Sequence, residues 1–186
     1  EHLSRVFNPN HPFVFILGGA KFDTKVPLIK KYLNSADNVF VSGALANDIF
    51  KAKGFGIGTS LVSNGDFGIQ EILQNPKLVV PVDVTVTKSD GSVAFKSPNE
   101  VEAEECIVDA GPQTLGQLRE LLKGAKTIVW NGPLGNYEIG FGDKTESLAE
   151  IIAEATSLGA ESIIGGGDTV ASIHKLDLSH KFSFVS

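Results

Sequence analysis

Methionine is absent from the 186 residues, and cysteine and tryptophan occur once each, as Cys106 and Trp130. A lone cysteine excludes an intramolecular disulfide and any cysteine-based zinc knuckle, and it points to a reducing setting. No apolar run approaches the ~18 residues that cross a bilayer, and no signal-peptide core opens the chain. Basic excess is missing too: 16 Lys and Arg against 22 Asp and Glu leave a net charge of −6, with a pI near 5.2. Such a chain has no global field for nucleic acid or an anionic membrane, so neither is expected as a partner. A hydrophobic content of 42% excludes a disordered tail. A soluble, cytoplasmic protein is expected. Without a methionine, Glu1 is not expected to be a native start. The closing stretch from Lys181 to Ser186 reads as an apolar strand with no turn after it, so both ends are expected to be cut from a longer protein.

Glycine, by contrast, is plentiful. There are 20 in 186 residues, about 11% against a usual ~7%. They cluster at the ends of short apolar runs. Phe13–Leu17 is a continuous strand candidate ending in Gly18-Gly19, and apolar residues at near-helical spacing follow from Phe22 to Leu33. Pro27 falls in that window and must sit in the first turn or kink the helix. Asn38–Ser42 is a second strand, followed by Gly43 and a helix from Ala44 to about Lys53, which Gly54 ends. Asp66–Gln74 reads as a short helix. The stretches 78–81 and 82–87 read as extended, and Ser89-Asp-Gly91 turns the chain back into Val93-Ala-Phe95. Cys106–Val108 is a further strand candidate. Pro112–Leu122 is a helix with proline at its start and Gly124 past its end. Thr127–Trp130 and Ser162–Ile164 are strands, Asp143–Leu158 is the longest helix, and Gly165-Gly-Gly-Asp168 opens a last helix to about Lys175.

Strand, glycine turn and helix thus recur at least four times. Strands that are apolar throughout, rather than alternating, have both faces covered, so the sheet is mainly parallel. The expected fold is one three-layer α/β/α, Rossmann-like domain with one antiparallel insertion, the Val82–Phe95 hairpin.

In an open parallel sheet, ligands bind beyond the carboxyl ends of the strands. Four such ends carry special residues: Gly18-Gly-Ala-Lys21, Ser42-Gly-Ala44, Asn131-Gly-Pro133 and Gly165-Gly-Gly-Asp-Thr169. Glycine lets a phosphate approach the backbone, and a following helix start supplies N–H donors. One such turn alone would read as a tight connection; four at equivalent places point to a phosphate-bearing ligand. Lys21 and Lys25 are four apart, on one helix face. They form either a solvated pair or, at the helix end unfavourable for cations, the partners of an anion. Asp168 is either the N-cap of the last helix or, beside phosphates, a ligand for Mg²⁺. Other fragments carry less. Gly124-Ala-Lys-Thr127 and Gly142-Asp-Lys-Thr145 lack the Gly-Lys-Ser/Thr ending of a Walker loop, and Gly54-Phe-Gly-Ile-Gly58 is out of context for a dinucleotide fingerprint. The four histidines have no ligand spacing, with His174 read as packing or surface. Cys106 reads as a buried, inert thiol, Trp130 as a core anchor, and Glu102, Glu104 and Glu105 as a solvated face.

Six motifs occur together and in order: Leu17-Gly-Gly-Ala-Lys-Phe-Asp-Thr-Lys25, Ile57-Gly-Thr-Ser-Leu61, Leu78-Val-Val-Pro-Val-Asp83, Asp109-Ala-Gly-Pro112, Val129-Trp-Asn-Gly-Pro-Leu-Gly135 and Ile164-Gly-Gly-Gly-Asp-Thr169. With them the chain closely resembles the C-terminal, nucleotide-binding domain of the phosphoglycerate kinase family, over essentially all 186 residues. That family moves a phosphoryl group between 1,3-bisphosphoglycerate and Mg·ADP, giving 3-phosphoglycerate and ATP. The resemblance implies catalytic roles for Lys21, on the nucleotide phosphates and the group in flight, and for Lys25, on the terminal phosphoryl. It implies nucleotide contacts from Gly19 and Ala20, an adenine wall at Gly43 and Ala44, and apolar base contacts at Leu61 and Val108. It places Asn131 near the phosphates, Pro133 and Asn136 beside the adenosine, and Glu138 on the ribose. Asp168 matches the Mg²⁺ ligand, and Gly166, Gly167 and Thr169 belong to the helix start that receives the phosphates. Ala44 departs from a usual glycine and Asn136 from a usual apolar residue, which puts the fit of adenine in question. The family's final Thr-Gly-Gly-Gly turn would follow Ser186. Phosphoglycerate is expected to bind only through the family's N-terminal domain, so this chain is expected to be a binding half without activity of its own, from a monomeric parent. Two other classes stay open at this point: a dehydrogenase-type dinucleotide domain, for which no acidic ribose ligand at the right distance is found, and a non-catalytic domain of the same fold.

Overall fold

All five side chains of Phe13–Leu17 are buried, and they divide between two cores. Side chains alternate across a strand. Accordingly, Val14 and Ile16 enter one cluster while Phe13, Phe15 and Leu17 enter the other. This strand, β1, is central in a sheet that must therefore carry helices on both faces. The computed structural model describes residues 8–20, 22–63 and 68–186, and of residues 22–24 the backbone alone.

In chain order the elements are β1 (Phe13–Leu17), α1 (Phe22–Ser35), β2 (Asn38–Val41), α2 (Ala44–Ala52), α3 (Ile69–Leu73), β3 (Leu78–Val79), β4 (Val84–Thr87), β5 (Val93–Lys96), β6 (Cys106–Ala110), α4 (Pro112–Leu122), β7 (Thr127–Asn131), α5 (Asp143–Ser157), β8 (Glu161–Gly165), α6 (Gly167–Lys175) and β9 (Phe184–Val185). Six strands form one parallel sheet in the order β3-β2-β1-β7-β8-β9. Val26, Ile29 and Leu33 of α1, with Leu45 and Ile49 of α2, cover one face. Leu118 and Leu122 of α4, Leu148 and Ile152 of α5, and Ile173 of α6 cover the other. Trp130 is fully buried in that second core, and its indole N–H donates to the Gly132 carbonyl at 2.8 Å. Register fixes the working edge: Leu17 pairs with Val41 on one side and Asn131 on the other, and Asn131 with Gly165. The four glycine-bearing strand ends stand side by side along the carboxyl edge of the sheet.

The antiparallel part is larger than the hairpin expected. β5, β4 and β6 form a separate three-stranded sheet, in that order, with both neighbours of β4 antiparallel to it. Its Val84 and Val86 pack on Ala46 and Phe50 of α2. Val82 and Asp83 are not strand. The Asp83 carboxylate instead caps α4 from a distance, accepting from Gln113 N at 2.9 Å and Thr114 N at 2.8 Å. Pro27 is the sixth residue of α1, beyond the first turn. The short helix expected over 66–74 is confined to α3, and Asp66 and Phe67 lie outside the described residues.

Glu105 is not part of a solvated face. It is 2% exposed, ion-paired to Lys96 Nζ at 2.7 Å, and accepts from the Glu102 N–H at 2.8 Å. The Lys96 hydrogen bond, then that of Glu102, holds its carboxyl below the usual glutamate range. Cys106 is half-buried rather than enclosed, because it opens β6 at the margin of the small sheet. His174 is exposed, with Nδ1 3.1 Å from Ser179 Oγ. Among the described residues no helix is long and apolar enough to cross a membrane.

Candidate functional site

The turns after β1 and β2 meet backbone to backbone. Gly43 has φ of +69°, and a Cβ there would lie 2.8 Å from Gly19 N. Leu45 N also donates to the Gly19 carbonyl at 3.2 Å. From this floor a cavity of about 260 Å³ rises between the parallel sheet and the small antiparallel one. Gly19, Ala20, Gly43 and Ala44 line its base, Phe50 of α2, Pro81, and Ile107 and Val108 of β6 form apolar walls, and the exposed Leu61 stands on its rim. The segment after β7 closes it with Pro133, Asn136 and Glu138, and Asp168 reaches it from α6. The volume is just under the ~300–1,000 Å³ of pockets that bury a drug-sized ligand.

The segment after β7 is held by four neighbours. Gly132 N donates to Thr169 Oγ1 at 2.9 Å, Ser42 Oγ to the Leu134 carbonyl at 3.0 Å, Leu134 N to Thr145 Oγ1 at 2.9 Å, and Asn136 N to the Val108 carbonyl at 2.7 Å. Each bond ties this segment to a different element, which fixes the far wall before any ligand arrives. Asn136 and Glu138 are exposed on it, as a polar mouth requires.

The expected residues thus divide. Gly19, Ala20, Gly43, Ala44, Leu61, Val108, Pro133, Asn136, Glu138 and Asp168 come together around the cavity; Lys25, Asn131, Gly166, Gly167 and Thr169 do not line it. Lys25 is half-buried on the first turn of α1, and Lys21 lies outside the described residues. Asn131 ends β7, its amide within 2.9 Å of where a Gly166 Cβ would stand. Thr169 is fully buried, its hydroxyl already engaged by Gly132. Asp168 is not the N-cap: Gly166 occupies that place, and Asp168 is the second helical residue, making no cap hydrogen bond. Its exposed carboxylate has no hydrogen-bond or ion-pair partner among the described residues. No cluster of three or more His, Cys, Asp and Glu side chains forms a metal site among the described residues. A magnesium ion held mainly by nucleotide phosphates needs only one or two carboxylates, so the unengaged Asp168 at the cavity fits it.

Among the lining residues that the sequence did not point to are two buried polar side chains, Asn47 and Asp109. Asn47 is buried in the middle of α2, where asparagine is a poor helix former; that mismatch was the available signal. Asp109 is 5% exposed at the end of β6. Burial pushes its carboxyl up to about 7, against the Ala110 and Lys144 backbone N–H groups and the Lys144 charge, which pull it down. Because its folded value lies above the unfolded ~3.9, the stabilisation is full below that pH and is lost as pH rises through about 7. Asp109→Asn keeps the acceptor for Ala110 N and removes the charge. It should flatten the pH dependence of thermal unfolding between about 4 and 7 and stabilise the protein above it, by up to ~4 kcal/mol. Equal pH profiles for parent and variant would show that Asp109 does not titrate in this range.

The phosphoglycerate kinase family model matches residues 1–186. Phosphoglycerate kinase of Coxiella burnetii is 39% identical over 197 residues, covering 100% of this chain and 50% of that protein. That of Thermosipho africanus is 39% identical over 193 residues, covering 96% of this chain and 47% of that protein. The solved Coxiella burnetii structure superposes with a TM-score of 0.91 over 100% of this chain and 50% of its own. The phosphoglycerate kinase of Pyrococcus horikoshii superposes at 0.80 with 28% identity, again over 100% of this chain and 49% of its own. The chain spans about half the length of the curated relatives it matches. With its fold, its ordered motifs and its whole length matched, this chain belongs to the phosphoglycerate kinase family.

Proposed function

We propose that residues 1–186 are the ADP- and ATP-binding domain of a cytoplasmic phosphoglycerate kinase. The observation that carries this reading is the apolar cavity at the carboxyl edge of the sheet, with the N-termini of α2 and α6 at its base and end. The base lies between the Gly43–Ala44 floor and Leu61 and Val108. Glu138 takes the ribose hydroxyls, and the phosphates run toward α6, whose first-turn N–H groups are free donors at the positive end of the helix dipole. Lys21 and Lys25, by the family resemblance, neutralise the phosphates. In transfer to ADP, a β-phosphate oxygen forms the new P–O bond while the bond from phosphorus to the carboxylate of 1,3-bisphosphoglycerate breaks. 3-Phosphoglycerate leaves with that electron pair. Little covalent help is needed; positioning and charge neutralisation carry the step. Asp168, together with the nucleotide, would hold Mg²⁺, which when bound would supply charge neutralisation on the phosphate oxygens.

Calorimetric titration of the folded chain with Mg·ADP should give measurable binding. None at millimolar nucleotide would favour a non-catalytic domain of the same fold. The 186-residue chain alone should show no phosphoglycerate-dependent ATP turnover, since orienting the second reactant supplies much of the acceleration and the family holds phosphoglycerate on its N-terminal domain. Turnover above a buffer control would overturn that division of labour.

A further inference from the structure

Leu61 stands 59% exposed on the cavity rim, so its side chain gains little from the core. The segment that carries it is nevertheless held through Ser60, Leu61 and Ser63. Ser60 Oγ accepts from Ile107 N at 2.8 Å, which ties the segment to β6. The Leu61 carbonyl accepts from Asn47 Nδ2 at 3.0 Å. Ser63 donates its N–H and its hydroxyl to the two carboxylate oxygens of Asp48, at 2.9 and 3.1 Å. Asn47 and Asp48 are consecutive residues inside α2, where both types compete with the helix backbone. Both are also retained at a cost. Asn47 is 3% exposed and its Oδ1 has no hydrogen-bond partner among the described residues. Burial pushes the Asp48 carboxyl above the ordinary range, and the two Ser63 bonds pull against it. What the pair secures is the position of an exposed leucine, which is what a ligand-binding wall requires and a folding core does not. A wall fixed in advance spares the ordering cost on binding.

We propose that Asn47 and Asp48 are positioning residues of the base subsite: from α2 they clamp residues 61–63 so that Leu61 stands as a preformed apolar wall for a heterocyclic base. This rests on the nucleotide reading of the cavity. The test is a set of double-mutant cycles on the 186-residue chain, titrated with Mg·ADP and with Mg·pyrophosphate, which has no base. Asn47→Ala, Asp48→Ala and Leu61→Ala should each weaken Mg·ADP about 5- to 10-fold, and Asp48→Asn, which keeps an acceptor for Ser63, should recover most of that loss. In the Leu61→Ala background the other two substitutions should add nothing, because the wall they hold is gone. Mg·pyrophosphate affinity should not move. An undiminished loss in that background, an equal loss for pyrophosphate, or unchanged Mg·ADP affinity in Asn47→Ala and Asp48→Ala overturns the clamp. Should Asn47→Ala fail to fold, the cycle of Asp48 with the exposed Leu61 decides alone. A parent chain that binds neither ligand overturns the nucleotide reading, and the base subsite with it.

Discussion

Asp168→Asn is expected to leave the fold intact and to remove most of the Mg²⁺ dependence of nucleotide binding. The residue is exposed, second in α6, and makes no cap hydrogen bond. Its only evident structural contribution is a negative charge in the first turn of a helix, worth roughly 0.3–1 kcal/mol. A thermal melt should therefore shift by no more than that. The same charge is what makes a divalent cation favourable beside the phosphates, and an amide cannot replace it. Titration with ADP at rising Mg²⁺ should show the parent gaining affinity and the variant gaining little. In an active full-length chain the change should slow transfer by at least about a hundredfold, since metal stabilisation of transferring oxygens amounts to several kcal/mol. If the variant melts much earlier yet binds Mg·ADP as the parent does, Asp168 is structural and the metal assignment fails.

Gly18→Ala should unfold the protein or come close to it. The turn after β1 and the turn after β7 touch at this residue: a Cβ would lie 2.0 Å from the Pro133 carbonyl oxygen and 3.0 Å from that of Gly132. Both obstacles are backbone, and both strands are central in the parallel sheet. Gly18 N also donates to the Asn131 carbonyl at 2.9 Å, so the turn cannot shift without breaking the edge that builds the cavity. A loss above ~5 kcal/mol is expected, comparable with the whole stability of a marginal domain. Gly116→Ala is the control. That glycine lies inside α4 with nothing within 4 Å of an added Cβ, and the change should stabilise by about 0.5–1 kcal/mol. Denaturant unfolding of the two variants separates the cases; a Gly18→Ala protein with the parent's midpoint would contradict the packing of these turns.

The layered α/β fold is legible in the order of the residues alone. β1, β2, β7 and β8 are short, nearly continuous apolar runs, and such runs have one stable solution, a parallel sheet covered on both faces. The glycines and prolines that bound the helices are local signals, so Pro112–Leu122 and the starts of α2, α5 and α6 were legible to within a residue or two. The glycine-bearing strand ends also point to the floor of the cavity at Gly19 and Gly43, because a strand end followed by glycine has one place in such a sheet, whereas Leu61 on its rim is implied by the family resemblance alone. What escaped the sequence depends on partners distant in the chain. β6 pairs with β4 rather than joining the parallel sheet, and nothing local distinguishes those choices. Glu105 reads as a surface carboxylate until Lys96 and the Glu102 N–H are folded against it. Asp109 becomes a raised-pKa group because Gly135 and the start of α5 close over it, and Asn47 and Asp48 become a clamp because Leu61 and Ser63 return to them. Hydrophobic pattern and turn chemistry are carried by neighbours in sequence, whereas desolvation and long-range hydrogen bonds exist only once the tertiary structure has brought the groups together.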